Sequence, residues 1–183
     1  MSTRSIIVLS GAGLNGPEVI RLYKHSDGYP AGNLPIIANA LVKAVAIEKA
    51  HAKRLKRKVQ MKLSGYAGLI IGESVSAYGA GAHIDTDYVD EHTSTPAEYL
   101  AKINLAQFGE QSDLEWVYYL DIDKKQLQIF QGFGSPEEIL AKGLADPLED
   151  EDRVDTIKKI KTALTEIKKA GFKVNPKNQP KIS

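Results

Sequence analysis

Ser5-Ile6-Ile7-Val8-Leu9-Ser10-Gly11-Ala12-Gly13-Leu14-Asn15-Gly16-Pro17-Glu18-Val19-Ile20-Arg21-Leu22-Tyr23-Lys24-His25 is the stretch on which the reading of the fold turns. Its opening, Ser5 to Ser10, is an apolar, β-branched run, the composition of a strand. Gly11 to Pro17 is turn material. Beyond it Ile20 and Leu22 alternate with Val19, Arg21, Tyr23 and His25, the period of two that sends neighbouring side chains to opposite faces of a strand. Two strands around a short glycine-rich loop make a hairpin. The competing reading takes Gly11-Ala12-Gly13-Leu14-Asn15-Gly16 as the G-x-G-x-x-G of a dinucleotide fold, in which glycines let a pyrophosphate approach a helix start. That reading needs a helix directly afterwards. Pro17 and an alternating segment stand there instead, with no room for a crossover helix before Asp27-Gly28. The hairpin is the expectation, and a helix over Glu18–His25 would reject it.

Working outward, Asn33 reads as a helix N-cap with Pro35 in the first turn. Ile37, Leu41, Ala44, Val45, Ala52, Leu55 and Val59 recur at helical spacing, predicting a helix to about Lys58. A second helix over roughly Gln60–Tyr78 is interrupted by Gly65, Gly68 and Gly72. Leu114–Ile122 and Gln126–Gln131 alternate around Asp123-Lys124 and predict a second hairpin. Pro136 opens a short helix. Val154, Ile157, Ile160, Leu164 and Ile167 mark a strongly amphipathic one ending at Gly171. Two hairpins with helices between and after them predict an α+β fold: one antiparallel sheet from both hairpins, helices packed on one face, and a helical C-terminal extension. Ile20, Leu22, Trp116, Leu120 and Ile129 are expected on the buried side. The organisation expected is a core domain over residues 1–131 and an extension over 132–183 that packs on the core, or projects as a dimerisation face of a homo-oligomer.

The chain has 183 residues, 43% of them hydrophobic, which suffices for one core. A net charge of +1 gives no global pull toward nucleic acid or acidic lipid. The absence of cysteine removes disulfides, thiolate metal sites and cysteine nucleophiles and accords with a reducing compartment. No apolar run is expected to span a membrane, and the expectation is a cytoplasmic protein without a membrane role. The near-neutral total hides a local asymmetry. Lys43 to Lys62 holds eight Lys/Arg and one acid, Glu48; Leu63 to Ala101 holds six acids and no Lys or Arg.

The densest segment in special-geometry residues is Tyr23-Lys24-His25-Ser26-Asp27-Gly28-Tyr29-Pro30-Ala31-Gly32. Glycine accepts backbone angles other residues avoid, and Pro30 fixes its own and restricts Tyr29. His25, Asp27, Gly28, Tyr29 and Gly32 are the candidate ligand-binding residues, on the idea that free amides at the following helix start favour an anion such as phosphate. The alternative is structural: Asp27 accepts turn amides, Tyr29 packs beneath and His25 bonds to backbone. No nucleophile or metal cluster completes an enzyme, so no catalytic residue, metal or cofactor is expected. A superficial match of Asp27-Gly28-Tyr29-Pro30 to the HD-GYP phosphodiesterases fails because none of the four histidines is followed by aspartate. His83-Ile84-Asp85-Thr86-Asp87-Tyr88-Val89-Asp90-Glu91-His92 carries cation-binding residue types but no recognised ligand spacing, and reads as a solvated acidic loop.

The chain resembles a family of uncharacterised phage and prokaryotic proteins. Leu22-Tyr23-Lys24-His25-Ser26-Asp27-Gly28-Tyr29-Pro30-Ala31-Gly32 resembles the family's Tyr-Arg-His-x-Asp-Gly-Tyr-Pro-x-Gly segment, with Lys24 for the usual arginine and Ser26 where an aromatic is common. Met1-Ser2-Thr3-Arg4 before the first strand and Asp113-Leu114-Glu115-Trp116-Val117-Tyr118-Tyr119-Leu120-Asp121-Ile122-Asp123 resemble its other two landmarks. The resemblance spans about residues 1–131, leaves out the stretch from Phe133, and brings no assigned activity.

Three functions follow as expectations. The first is a non-enzymatic binding or regulatory protein, such as a phage accessory factor, that captures a small anionic ligand or a host protein. The second is a small hydrolase acting on a phosphorylated substrate through His25 and Asp27 as an acid/base pair. The third is a nucleic-acid binder using Lys49, Lys53, Arg54, Arg57 and Lys58 within the Lys49–Lys62 stretch. It ranks last because cations at a helix C-terminus already complement the helix dipole and the acidic segment that follows offers them compensation.

Overall fold

A computed structural model describes residues 3–12, 17–24, 27–78, 114–134, 136–143 and 154–175. The first hairpin forms as expected: β1 (Ser5–Ala12) pairs antiparallel with β2 (Pro17–Lys24), Ser5 opposite Lys24 and Ala12 opposite Pro17. The strand pairing leaves no place for the dinucleotide reading. Helices α1 (Pro30–Leu55) and α2 (Leu63–Tyr78) follow. The second hairpin is β3 (Leu114–Asp121) with β4 (Gln126–Gly134), antiparallel around a turn in which Lys125 takes a left-handed φ of 49°. Then come α3 (Pro136–Lys142), α4 (Val154–Lys169) and the two-residue β5 (Lys173–Val174).

Both hairpins join one five-stranded sheet of order β2-β1-β3-β4-β5. The expected antiparallel sheet is corrected here: the sheet is mixed, because β1 lies parallel to β3, Ser5 beside Trp116 and Ser10 beside Asp121, and β5 lies parallel to β4. Alternation within each hairpin reports faces, not which strands of two hairpins meet or in which direction. One sign is present in β1, where Ile6, Ile7, Val8 and Leu9 are all apolar and all buried. A strand greasy on both faces belongs in the middle of a sheet covered on both sides.

The placement of helices on one face is corrected for the same reason. Ile7, Leu9, Ile20, Leu22, Tyr118, Leu120, Leu127 and Ile129 face a main core filled by α1, α2 and α4. On the opposite face Ile6, Val8, Tyr23, Leu114 and Val117 pack with Ile139 of α3. Trp116 is only partly buried, stacked near Tyr118 with ring centroids 6.5 Å apart.

The C-terminal helix packs on the sheet's main face: Ile160, Ala163, Leu164 and Ile167 are buried in the same core as α1. The chain then turns at Gly171 (φ 87°), and Phe172 and Val174 add to that core as β5 pairs with β4. The boundary expected at residue 131 falls inside β4. Helix α1 starts at Pro30 rather than after Asn33, with Tyr29 as its cap residue and no side-chain cap bond. It is long and apolar enough to pass as a membrane span by length and composition, against the expectation from the sequence, although 56% of its most apolar window is buried in the protein.

Candidate functional site

The Tyr23–Gly32 segment connects the end of β2 to the start of α1, and its described residues bond to Thr3, Asn33 and Tyr118 as well as to one another. Because Ser5 and Lys24 are register partners, their side chains leave the sheet on the same side. Asn33, in the first turn of α1, bridges them: its Nδ2 donates to Ser5 Oγ at 2.9 Å and to the Gly28 carbonyl at 3.1 Å, and its Oδ1 accepts from Lys24 Nζ at 3.2 Å. Lys24 Nζ also donates to the Asp27 carbonyl at 3.1 Å. Ser5, Lys24 and Asn33 are all buried. Burial pushes the Lys24 ammonium down to about 8, with the Asp27 charge opposing that shift.

Gly28 is the centre of the knot. Its N–H donates to the Thr3 carbonyl at 2.8 Å, and its own carbonyl accepts from the Tyr118 hydroxyl at 2.8 Å as well as from Asn33. A Cβ there would lie 2.7 Å from the Thr3 carbonyl oxygen and from Ser5. One backbone position thus ties together the residues before β1, the start of α1 and β3.

Of the expected ligand-binding residues, His25 lies outside the described residues. Asp27 holds a left-handed φ of 54°, which aspartate tolerates better than most residues, and its carbonyl serves Lys24. Tyr29 does not pack beneath the turn: it is 39% exposed, and its carbonyl accepts from the Gly32 and Asn33 amides at 3.0 and 3.1 Å. These bonds already engage two of the amides expected to be open to an anion. Gly32 is buried in the first helical turn. The residues that sequence reasoning misses are Ser5, Lys24, Asn33 and Tyr118. Lys24 at the end of a half-apolar strand is the available signal, while Asn33 has the look of a cap and acts as a bridge.

The basic stretch is arranged differently. The last buried residue of α1 is Ala44, and no residue from Val45 to Lys62 is buried. A helix of 26 residues is about 39 Å long, whereas an eight-residue strand is about 26 Å, so α1 outruns the sheet it packs on. Lys49, Lys53, Arg54, Lys56, Arg57 and Lys58 are all exposed. The helix ends at Leu55, Lys56 being left-handed with φ 51°, so Lys56 to Lys58 lie beyond it. Glu48, the single acid of the stretch, turns the other way: its Oε1 accepts from the Tyr66 hydroxyl at 2.6 Å and from the Met61 amide at 2.9 Å. Burial, then the Glu48 bond, raises the Tyr66 pKa well above the usual tyrosine range. Glu73 of α2 pairs with Lys43, before the overhang begins.

Two concavities accompany these features. One of about 440 Å³ lies between α1 and α4, lined by Pro35, Ala38, Asn39, Asp155, Lys158, Lys159, Thr162, Ala163 and Glu166. Another of about 200 Å³ lies where Gly11 and Ala12, the 60–63 segment, and Ile122 and Asp123 meet. There Gln60 Nε2 donates to Asp123 Oδ1 at 3.2 Å, fastening the α1–α2 connection to the β3–β4 turn. Lys124, on the same turn, pairs with Asp121 at 2.9 Å. Among the described residues no three of His, Asp and Glu converge as metal ligands; the His83–His92 segment lies outside them. Compared with protein-family models, curated proteins and solved structures, the chain matches none.

Proposed function

We propose that the protein is a non-enzymatic binding protein that captures an anionic partner on the overhanging basic end of α1. The observation that carries this reading is the inward turn of Glu48. With its carboxylate committed to Met61 and Tyr66, the cations from Lys49 to Lys58 face solvent with no carboxylate paired to them among the described residues. Repulsion among clustered cations is a standing cost that an anionic partner relieves. Compensation by the helix dipole extends only to Lys53 and Arg54 in the last helical turn.

The Tyr23–Gly32 segment is the weaker candidate for binding. Its buried polar groups hold the two hairpins and α1 in place, and a hydrolase built on Asp27 draws no support from the hydrogen bonds around it.

Heparin-affinity chromatography tests the reading, because a protein of net charge +1 is retained only if its cations are clustered. The expected result is retention at physiological salt that is lost in Arg54→Glu/Arg57→Glu. Elution in the void volume at low salt would sink the proposal.

A further inference from the structure

We infer that the partner of this basic end is duplex nucleic acid, gripped through its phosphate backbone without base stacking; the inference rests on the anion-binding reading above. Three observations select the partner. First, the surface is a helix end rather than a pocket: no residue from Lys49 to Leu55 is buried, so about 10 Å of helix runs on past the core contact of Val45 and the Glu48–Tyr66 bond. An α-helix about 10–12 Å across fits the major groove of B-DNA, about 12 Å wide.

Second, the cations follow the helix and continue past it. Lys49 and Lys53 stand four residues apart, one above the other on one face, and Arg54 carries the charge about 100° further round the helix. Arg57 and Lys58 extend the charge beyond the αL turn at Lys56. Two arginines among them present planar forks suited to phosphate oxygens. Third, the sequence from Val45 to Lys62 contains no Phe, Tyr or Trp. Single-strand binders stack successive bases on a row of aromatic side chains, and this surface offers a single imidazole, His51, which favours the evenly charged backbone of a duplex. A membrane-surface helix would instead need an apolar face opposite its cations. Here the side opposite Lys49 and Lys53 offers only two exposed large apolar side chains, Ile47 and Leu55, with His51 between them.

Fluorescence anisotropy of the full chain with a labelled duplex of about 20 bp, in two unrelated sequences, tests the inference. Five phosphate contacts predict a log–log salt slope of about −4 to −5, hence about a 500-fold loss of affinity between 50 and 200 mM salt. Affinity should be the same for both sequences. Arg54→Glu/Arg57→Glu should flatten the slope by about 2 and weaken binding at least tenfold, roughly one contact per arginine. Arg54→Gln/Arg57→Gln should do the same more mildly, and Lys158→Glu/Lys159→Glu on α4 should leave binding unchanged. Circular dichroism checks that each variant is folded. Tighter binding to a matched single strand, to poly-glutamate or to anionic vesicles than to the duplex would overturn the nucleic-acid assignment while leaving an anionic partner in place. No binding to any of them at 50 mM salt would overturn both.

Discussion

Replacing Gly28 by alanine adds one methyl group, and its effect can be worked out from the surrounding atoms. The new carbon would lie 2.7 Å from the Thr3 carbonyl oxygen, 2.7 Å from Ser5 Cβ and 2.7 Å from Ser5 Oγ. Two of those three neighbours cannot rotate away: one is backbone and one is a Cβ on a strand. Relief therefore requires separating the Asp27–Tyr29 backbone from the residues before β1. That movement strains the Gly28 N–H bond to Thr3 and the two bonds its carbonyl accepts from Tyr118 and Asn33. Overpacking of this kind costs about 1–3 kcal/mol, and each weakened bond about 1 kcal/mol more. The expected destabilisation is about 4–6 kcal/mol. Gly68→Ala supplies the control. Gly68 lies exposed within α2, and a Cβ added there meets nothing within 4 Å, so alanine should stabilise by about 1 kcal/mol through helix propensity alone. Urea unfolding followed by far-ultraviolet circular dichroism measures both. If Gly28→Ala leaves the midpoint unchanged, or shifts it in the same direction as Gly68→Ala, the knot around Gly28 does not hold the fold together as described.

Asn33→Ala should cost about 2–3 kcal/mol, because it removes an acceptor from a buried ammonium and a donor from Ser5 and Gly28 together; a denaturant titration showing a loss under about 0.5 kcal/mol would refute the bridge. The lowered pKa of Lys24 predicts a pH effect of definite sign. Between about pH 8 and 10.5 the unfolded chain holds this proton and the folded chain has released it, so stability attributable to Lys24 rises with pH across that window. Tyr66 acts oppositely above about pH 10, where the unfolded chain ionises first, so the rise should be read between pH 8 and 10. Lys24→Met should flatten it, and equal midpoint changes in wild type and variant from about pH 7.5 to 9.5 would rule the assignment out.

Much of the fold is legible along the chain, because each hairpin and each helix has its own period. Ile20, Leu22, Leu120 and Ile129 are buried where their alternation puts them. What periodicity cannot carry is the relative direction of elements distant in sequence, and so the parallel contact of β1 with β3 escapes it. The second layer escapes it for a related reason. Val8, Tyr23 and Val117 read as the outer faces of half-buried strands until α3 is seen beside them. At the candidate site the sequence draws attention to the right segment but to the wrong atoms. Composition marks glycine, proline and aspartate, whereas the knot runs through Ser5, Lys24, Asn33 and Tyr118, which meet only once the sheet register is known. For the basic stretch the sequence supplies the charges and not their orientation. Only the placement of Glu48 against Tyr66 and Met61 separates a compensated helix end from an uncompensated one.

The division between a structural segment and a binding surface is tested most directly by ¹H–¹⁵N correlation spectra recorded while a defined heparin oligosaccharide is added. The expected result is that amide shifts move progressively from Lys49 to Lys62, while those of Gly28, Tyr29, Gly32 and Asn33 stay in place. Shifts concentrated at Gly28 to Asn33, with the Lys49–Lys62 amides unmoved, would contradict the assignment and return the binding site to the segment between β2 and α1.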